Sequence, residues 1–363
     1  MKIKKNILFI APFYRGRSPS QRYRIEQFLK LLEDEGYEYD ISHLITKEND
    51  NLFYSKGKYV KKFFLLIQFY FKRLKDIRKA SGYDYIFVQR EAYYLGTTYF
   101  EKKFAKKSTL IYDFDDSIWL KNVSDVNKRF DWLKNYSKVK KIISFADIVI
   151  VGNKYLYEFA KKYNSNIKII PTVVDTEEYK KLGLIKDKKK ITIGWSGSIT
   201  TIQHFEYAIN SLYRIKEKYK DNVDIKVIGD SNYRLKKLGI IGFAWSKENE
   251  LEDLLSIDIG IMPLPDNEWT KGKCGCKGLL YMSLKIPTIM SPVGVNKEII
   301  QDGINGFLAT DEEEWIEKIS LLIENKELRQ KIGNAGRQTV VEKYSVESQK
   351  ETFLNVFRDL SDI

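Results

Sequence analysis

Short apolar runs of strand length alternate with helix-period patterns from one end of this chain to the other. Ile7–Ala11 is the first run. The stretch Gln21–Glu35 after it repeats apolar residues at Ile25, Phe28, Leu29 and Leu32. Tyr85–Val88, Leu110–Tyr112, Ile148–Val151 and Ile167–Ile170 continue the series. Apolar runs separated by amphipathic helices are the pattern of buried parallel strands joined by crossovers, an α/β architecture. The rhythm breaks at Pro171-Thr172-Val173-Val174-Asp175, and a lysine-rich stretch, Lys180–Lys190, follows. It restarts at Ile191–Trp195 and runs on through Ile225–Ile228, Ile257–Met262, Thr288–Met290 and Phe307–Ala309. Helices are expected over Phe205–Lys218, Glu313–Glu324 and Glu347–Leu360. At 363 residues the chain has room for two such units, each with its own core.

The richest chemistry lies in Pro263–Leu308, PLPDNEWTKGKCGCKGLLYMSLKIPTIMSPVGVNKEIIQDGINGFL. An apolar run ends there in a loop holding Gly272, Gly275, Gly278, Lys273 and Lys277. A helical pattern, Leu279–Leu284, a short strand, Thr288–Ser291, and a second glycine-bearing loop, Pro292–Asn296, come next. A flexible loop feeding a helix N-terminus offers backbone N–H groups and a positive dipole end to an anion. Two lysines in the same turn add charge, so the expected ligand carries phosphate.

This stretch resembles the nucleotide-sugar half of glycosyltransferase family 4, in a branch reading roughly KGKCGFK-x-x-x-YMA-x-G-x-P-x-x-x-SPVGVN-x-E. Ile111–Trp119 (IYDFDDSIW), Ala146–Val151 (ADIVIV), Pro171–Tyr179 (PTVVDTEEY) and Ile193–Ser198 (IGWSGS) extend the resemblance over nearly the full chain. It implies a GT-B fold: two facing Rossmann-like domains with parallel sheets and an interdomain cleft. The domains expected are 1–172 on the acceptor side and 173–345 on the nucleotide-sugar side, with 346–363 as a helix returning to the first. The implied reaction moves a sugar from UDP- or GDP-sugar to a glycan or lipid-linked saccharide, with retention of configuration and no metal ion or cofactor. The implied setting is cell-surface polysaccharide synthesis.

Two departures from the family pattern matter. Family 4 enzymes usually hold the donor diphosphate with an Arg and a Lys after the first strand of the second domain, where this chain reads WSGSITT. Gly272 and Leu280 stand where the family's E-x7-E glutamates fall. Lys273 and Lys277 are therefore expected to carry the phosphate charge, helped by Gly275 and by Gly197, Ser198 and Thr201. A lysine beside a phosphate makes a charge-assisted bond of roughly 1.5–3 kcal/mol. Glu298 and Val295 in the second glycine turn, Glu268 on the sugar side and Trp245 complete the expected donor set; Glu298 either binds ribose or caps its helix. Trp195 and Trp269 are also placed on donor-side loops, as a base-stacking surface or as core. By register Asp115 falls near the donor sugar and is assigned a catalytic role with the two lysines. Gly16, Arg22, Arg24, Arg90 and Asp116 are the expected acceptor set, the arginines to grip a phosphate. Asp113, Asp115 and Asp116 together also look like a metal-binding cluster, but the acceptor side is the preferred place for them.

Other enzyme classes have little to work with. His43 and His204 are the only histidines, and the two cysteines, Cys274 and Cys276, have one residue between them. That suits neither a zinc knuckle nor a disulfide framework. The alternatives left open are a degenerate sugar-nucleotide-binding subunit and a sugar-nucleotide epimerase of related fold. The N-terminal MKIKKNILFIAPFY reads as a buried first strand, and no apolar run reaches membrane-spanning length. The expected location is the cytoplasm.

Net charge is +13, and Lys56–Lys79 carries nine Lys/Arg against one Asp, a local +8. No nucleic-acid motif accompanies it. Val60, Phe63, Phe64, Ile67, Phe71 and Leu74 form one helical stripe, with Lys61, Gln68, Lys72, Lys75 and Lys79 along another face. Aromatics rimmed by lysine describe a helix lying on an anionic membrane surface. The competing expectation is that this stripe packs on the first sheet.

Overall fold

The computed structural model describes residues 5–121, 134–180 and 190–358. Most of the lysine-rich stretch 180–190, and Leu360 of the last expected helix, lie outside them. The chain forms two compact units, Met1–Pro171 with Lys350–Ile363, and Thr172–Gln349.

In the first unit, β1 (Asn6–Phe13), β2 (Glu38–Ile45), β3 (Tyr85–Gln89), β4 (Thr109–Phe114), β5 (Ile148–Val151) and β6 (Ile167–Ile169) make one parallel sheet of order β2-β1-β3-β4-β5-β6. Strands β3 and β5 are buried along their whole length, as parallel strands covered on both faces should be. The sequence pattern does not reveal β2. As an edge strand it exposes Glu38 and Asp40 at its start, so no continuous apolar run marks it. Helices α1 (Pro19–Arg24), α2 (Leu29–Asp34), α3 (Lys47–Tyr54), α4 (Tyr59–Lys79), α5 (Tyr99–Phe104), α6 (Lys138–Phe145) and α7 (Lys154–Ala160) join the strands. The single helix expected over 21–35 is broken at Ile25, where φ is −125°. The break lets α1 aim polar groups inward: the Gln21 amide oxygen accepts the Phe13 N–H at 3.1 Å, and Arg24 reaches Asp113.

In the second unit, β7 (Ile191–Ser196), β8 (Val223–Ile228), β11 (Ile259–Met262), β12 (Thr288–Met290) and β13 (Phe307–Leu308) form a parallel sheet of order β13-β12-β11-β7-β8. A small hairpin, β9 (Arg234–Leu235) with β10 (Ile240–Ile241), stands apart from it. The helices are α8 (Ile202–Phe205), α9 (Ile209–Tyr219), α10 (Glu250–Leu255), α11 (Glu268–Lys271), α12 (Cys276–Ser283), α13 (Asn296–Ile299), α14 (Glu312–Glu324) and α15 (Lys326–Lys343). Ile193, Trp195, Phe205, Leu212, Ile259 and Trp315 sit in its core. The first strand in sequence, β7, lies between β8 and β11, so the winding direction reverses there. In a doubly wound sheet the ligand crevice opens at the carboxyl ends of the strands flanking such a reversal.

The last helix, α16 (Lys350–Arg358), packs on the first unit. Phe353 stacks on Phe28 with ring centroids 3.9 Å apart, and the Tyr85 hydroxyl donates to the Phe357 carbonyl at 2.6 Å.

Candidate functional site

In the second unit the chemistry gathers where β7 and β11 end. Strand β7 runs into Gly197, whose N–H is held by the Ile228 carbonyl of β8 at 2.9 Å. A side chain at Gly197 would stand 2.2 Å from the Trp195 indole, so the turn lies directly on that ring. Trp195, expected on a loop, is instead the last-but-one residue of β7 and buried. Its ring is a shelf with a second occupant: the Lys277 ammonium lies 5.1 Å from its centroid. A cation over an indole face gains on the order of 0.5–2 kcal/mol and is held in one place. Lys277 is the second residue of α12, so the shelf sets its charge beside both the α12 N-terminus and the Gly197 turn. Ser198, Thr200 and Thr201 follow in that turn, closed by a capping box in which the Ser198 N–H donates to Thr201 Oγ1 at 2.9 Å.

Two further contacts fix this corner. The Tyr281 hydroxyl, one turn after Lys277 on α12, accepts the Ser196 N–H at 2.6 Å, tying the helix to the end of β7. Burial pushes that hydroxyl's pKa up. Gly275 enters α12 at φ 69°, a backbone region suited to glycine, and a side chain there would meet Ile299 of α13 at 2.3 Å. The two glycine loops of the sequence therefore pack together. Val295 and the Asn296 carboxamide oxygen both lie 3.6 Å from that same point. The buried Asn296 oxygen has no hydrogen-bond partner among the described residues, which leaves an acceptor in this wall.

The remaining donor candidates are spread along the same edge. Glu298 is exposed on α13. Lys273 stands over Trp269 at 5.1 Å, one loop away from the Trp195 shelf. Glu268 is exposed and bridges to Lys271 at 2.9 Å. Trp245 belongs to a separate cluster: its indole N–H donates to Glu250 at 2.9 Å, and Tyr179 donates to the same carboxylate at 3.0 Å.

The expected acceptor set in the first unit divides sharply. Arg24 is buried, its Nε 3.1 and 3.3 Å from the two Asp113 oxygens and its Nη1 on the Ile170 carbonyl. Burial pushes the Asp113 carboxyl up to about 6, against the pull of Arg24. This pair is part of the fold rather than a grip for an acceptor. Arg22 is also buried, with its guanidinium 5.0 Å from the Tyr23 ring centroid. At Gly16 the backbone N–H that would meet an anion already donates to both Glu26 oxygens, at 3.0 and 2.9 Å. The chain's own carboxylate fills that turn.

Arg90, Asp115 and Asp116 do come together. Arg90 follows β3 at φ 61°, held there by the Asp113 carbonyl, which accepts its N–H at 2.8 Å, and by the Tyr112 hydroxyl, which donates to its carbonyl at 2.8 Å. Its guanidinium lies 3.2 Å from Asp116 and 3.6 Å from Asp115. A non-glycine residue kept in that strained region points to a position the surroundings enforce.

Sequence reasoning missed Tyr281, Asn296 and the Trp195 shelf. Tyr281 follows Lys277 by four residues, a spacing that puts both on one helix face, so that pairing was readable in principle. The shelf was not, because it joins residues from two separate elements.

A parallel sheet wound about a central first strand, with a lysine and a helix N-terminus at the reversal, is a doubly wound α/β unit whose crevice lies at the carboxyl ends of β7 and β11. The family described as Glycosyl transferases group 1 matches residues 174–339, nearly all of the second unit. An uncharacterized glycosyltransferase of Methanocaldococcus jannaschii is 24% identical over 277 residues, covering 72% of this chain and 71% of that protein. The crystal structure of a glycosyltransferase from Rickettsia africae has the same fold, with a TM-score of 0.68 at 16% identity over 98% of both chains. The structure of Anabaena HepE in complex with UDP and glucose aligns with a TM-score of 0.62 at 14% identity, over 97% of this chain and 99% of that one. The protein is a glycosyltransferase of the GT-B type.

Proposed function

We propose that the protein is a family 4 enzyme that transfers a sugar, with retention of configuration, from a UDP- or GDP-sugar to a glycan or lipid-linked saccharide. The work it serves is cell-surface polysaccharide synthesis at the inner face of the cell membrane. The observation that carries the donor assignment is Lys277, shelved on Trp195 between the α12 N-terminus and the Gly197 turn. A fixed ammonium and a helix dipole stabilise a leaving diphosphate as its charge develops, with no metal ion needed. HepE has been solved with UDP and with UDP-glucose, which supports a nucleotide-sugar donor here. TarM of S. aureus has been solved with UDP and α-GlcNAc-glycerol, which supports a saccharide acceptor.

In this reading the acceptor hydroxyl bonds to the anomeric carbon on the face the diphosphate leaves. A donor phosphate oxygen takes the hydroxyl proton as the carbon–oxygen bond to phosphate breaks. Arg90 with Asp115 and Asp116 orients the acceptor on the first unit.

Isothermal titration with UDP, GDP and uridine tests the donor site. Lys277→Ala is expected to weaken the diphosphate roughly tenfold or more while leaving uridine unchanged. Lys273→Ala should cost less, because Lys273 rests on Trp269 away from the shelf. UDP and GDP bound by Lys277→Ala as tightly as by the parent would refute the assignment.

A further inference from the structure

Helix α4 does not bury its aromatic stripe on the first sheet, which was the competing expectation. Its inward face is Leu65, Phe69, Arg73, Asp76 and Ile77. Four of the six stripe residues point away from the sheet: Val60 is 70% exposed, Phe63 61%, Phe64 59% and Phe71 58%, while Ile67 and Leu74 are half-buried. Single exposed apolar residues are ordinary, but a contiguous set on one helix face marks a surface that something covers. The segment itself offers no exposed acid to offset its charges. Asp76, the one acid of the segment, is buried, accepting from Arg73 at 2.7 Å and from the Ser42 hydroxyl at 2.7 Å. Lys56, Lys58, Lys61, Lys75, Arg78 and Lys79 are exposed.

The topology enlarges this surface beyond one helix. The connections β2 to β3, β3 to β4 and β4 to β5 all step in the same direction across the sheet. Right-handed crossovers therefore put α4, α5 and α6 on one face. The Tyr70 ring of α4 meets Phe100 of α5 at 5.2 Å. Lys138 of α6 donates to the Tyr93 and Leu95 carbonyls of the loop leading into α5, at 2.8 and 3.1 Å. Lys102, Lys103, Lys106 and Lys107 in and after α5 are exposed, as are Lys140 and Lys141 of α6. The only acids on these three helices are Asp76 and Glu101, and both are buried. These three helices thus present lysines outward and keep their own carboxylates inside, while α3 and α7, in crossovers of the same direction, expose Glu48 and Glu158.

We propose that the outer face of α4, α5 and α6 docks on an anionic lipid bilayer. The Phe63, Phe64 and Phe71 rings enter the acyl boundary and the lysines meet the head groups. This deepens the glycosyltransferase reading by naming the surface on which a lipid-linked acceptor would be met. Charge selects the occupant: a second copy of the same face would set lysine against lysine, whereas anionic head groups complement it. Among the described residues no helix is long and apolar enough to cross a membrane, so the contact is with the surface.

Vesicle flotation of the full chain tests this, with phosphatidylcholine alone and mixed with phosphatidylglycerol, across a salt series and without donor or acceptor. The parent is expected to bind only the mixed vesicles and to leave them as salt rises. The variant Phe63→Ser/Phe64→Ser/Phe71→Ser should bind at least tenfold more weakly. So should Lys102→Gln/Lys103→Gln/Lys106→Gln/Lys107→Gln, although none of its changes touches α4. All these positions are exposed, and unchanged UDP affinity in both variants would show that the fold is intact. Parent that ignores the mixed vesicles, or either variant binding them like the parent, overturns the proposal. Parent that prefers polyuridylate to vesicles, or forms a dimer that the Phe variant dissolves, overturns it in favour of those partners. None of these outcomes bears on the donor site, which UDP titration tests by itself.

Discussion

Arg24 and Asp113 show how a residue's chemistry can be read correctly and its job misjudged. An arginine near the end of a first strand looks like a phosphate grip, yet here its guanidinium and the Asp113 carboxylate are buried against each other. Removing one partner strands the other, which costs roughly 3–5 kcal/mol, whereas replacing both with apolar groups is close to neutral. Asp113→Leu is therefore expected to lower unfolding free energy in urea by about that amount, and Arg24→Met/Asp113→Leu to recover most of it. The pair also carries a pH signature. With its folded pKa up at about 6, from an ordinary 3.8, Asp113 keeps a proton that the unfolded chain has already lost between those values. Its contribution to stability is present below about pH 4, falls as pH rises through 6 and is level above. Urea titrations at several pH values should show that fall in the parent and not in the double variant. The same lesson holds at Gly16, whose N–H serves Glu26. Which carboxylate fills a turn depends on what folds over it, and no local pattern reveals that.

At the level of elements, periodicity served well wherever burial was continuous. Strands β1, β3, β4, β5 and β7 fall on the apolar runs that announce them, because both faces of a parallel sheet are covered. It failed at β2, where one edge is open, and across 21–35, where inward polar bonds break the helix at Ile25. In α4 the period was right, but the sequence left open which stripe faces inward: the buried one includes Arg73 and Asp76, which pair with each other along the helix and find their remaining hydrogen bonds only when folding brings them to Ser42 and Ala92. Helix α12, besides packing on β11, β12 and α15, is tied to the end of β7 by one hydroxyl. Tyr281→Phe leaves the buried Ser196 N–H without its acceptor, at a cost of about 1–3 kcal/mol. It should also loosen the corner that aims Lys277, so UDP affinity is expected to fall even though the lost oxygen lies beneath the site. Unchanged melting and unchanged UDP binding in Tyr281→Phe would show that the tether contributes nothing.

For the molecule as a whole, the reading of Lys277 as the diphosphate's counter-charge makes a demand on the reaction: sugar transfer should continue in excess chelator. Loss of turnover in EDTA, restored by Mg²⁺ or Mn²⁺, would instead assign a metal role to Asp115 and Asp116, since Asp113 is already held by Arg24. The sequence alone determined the α/β class, the two units, the glycine- and lysine-bearing loops of the 263–308 stretch and an excess of positive charge centred on 56–79. Those follow from composition and short-range spacing, which the chain carries wherever it folds. Tertiary structure alone decided which arginines are buried, that Trp195 is a shelf and not a wall, and that the lysines of α4, α5 and α6 share one face. Each of these joins residues tens of positions apart, and their adjacency comes from strand order and crossover handedness rather than from any pattern along the chain.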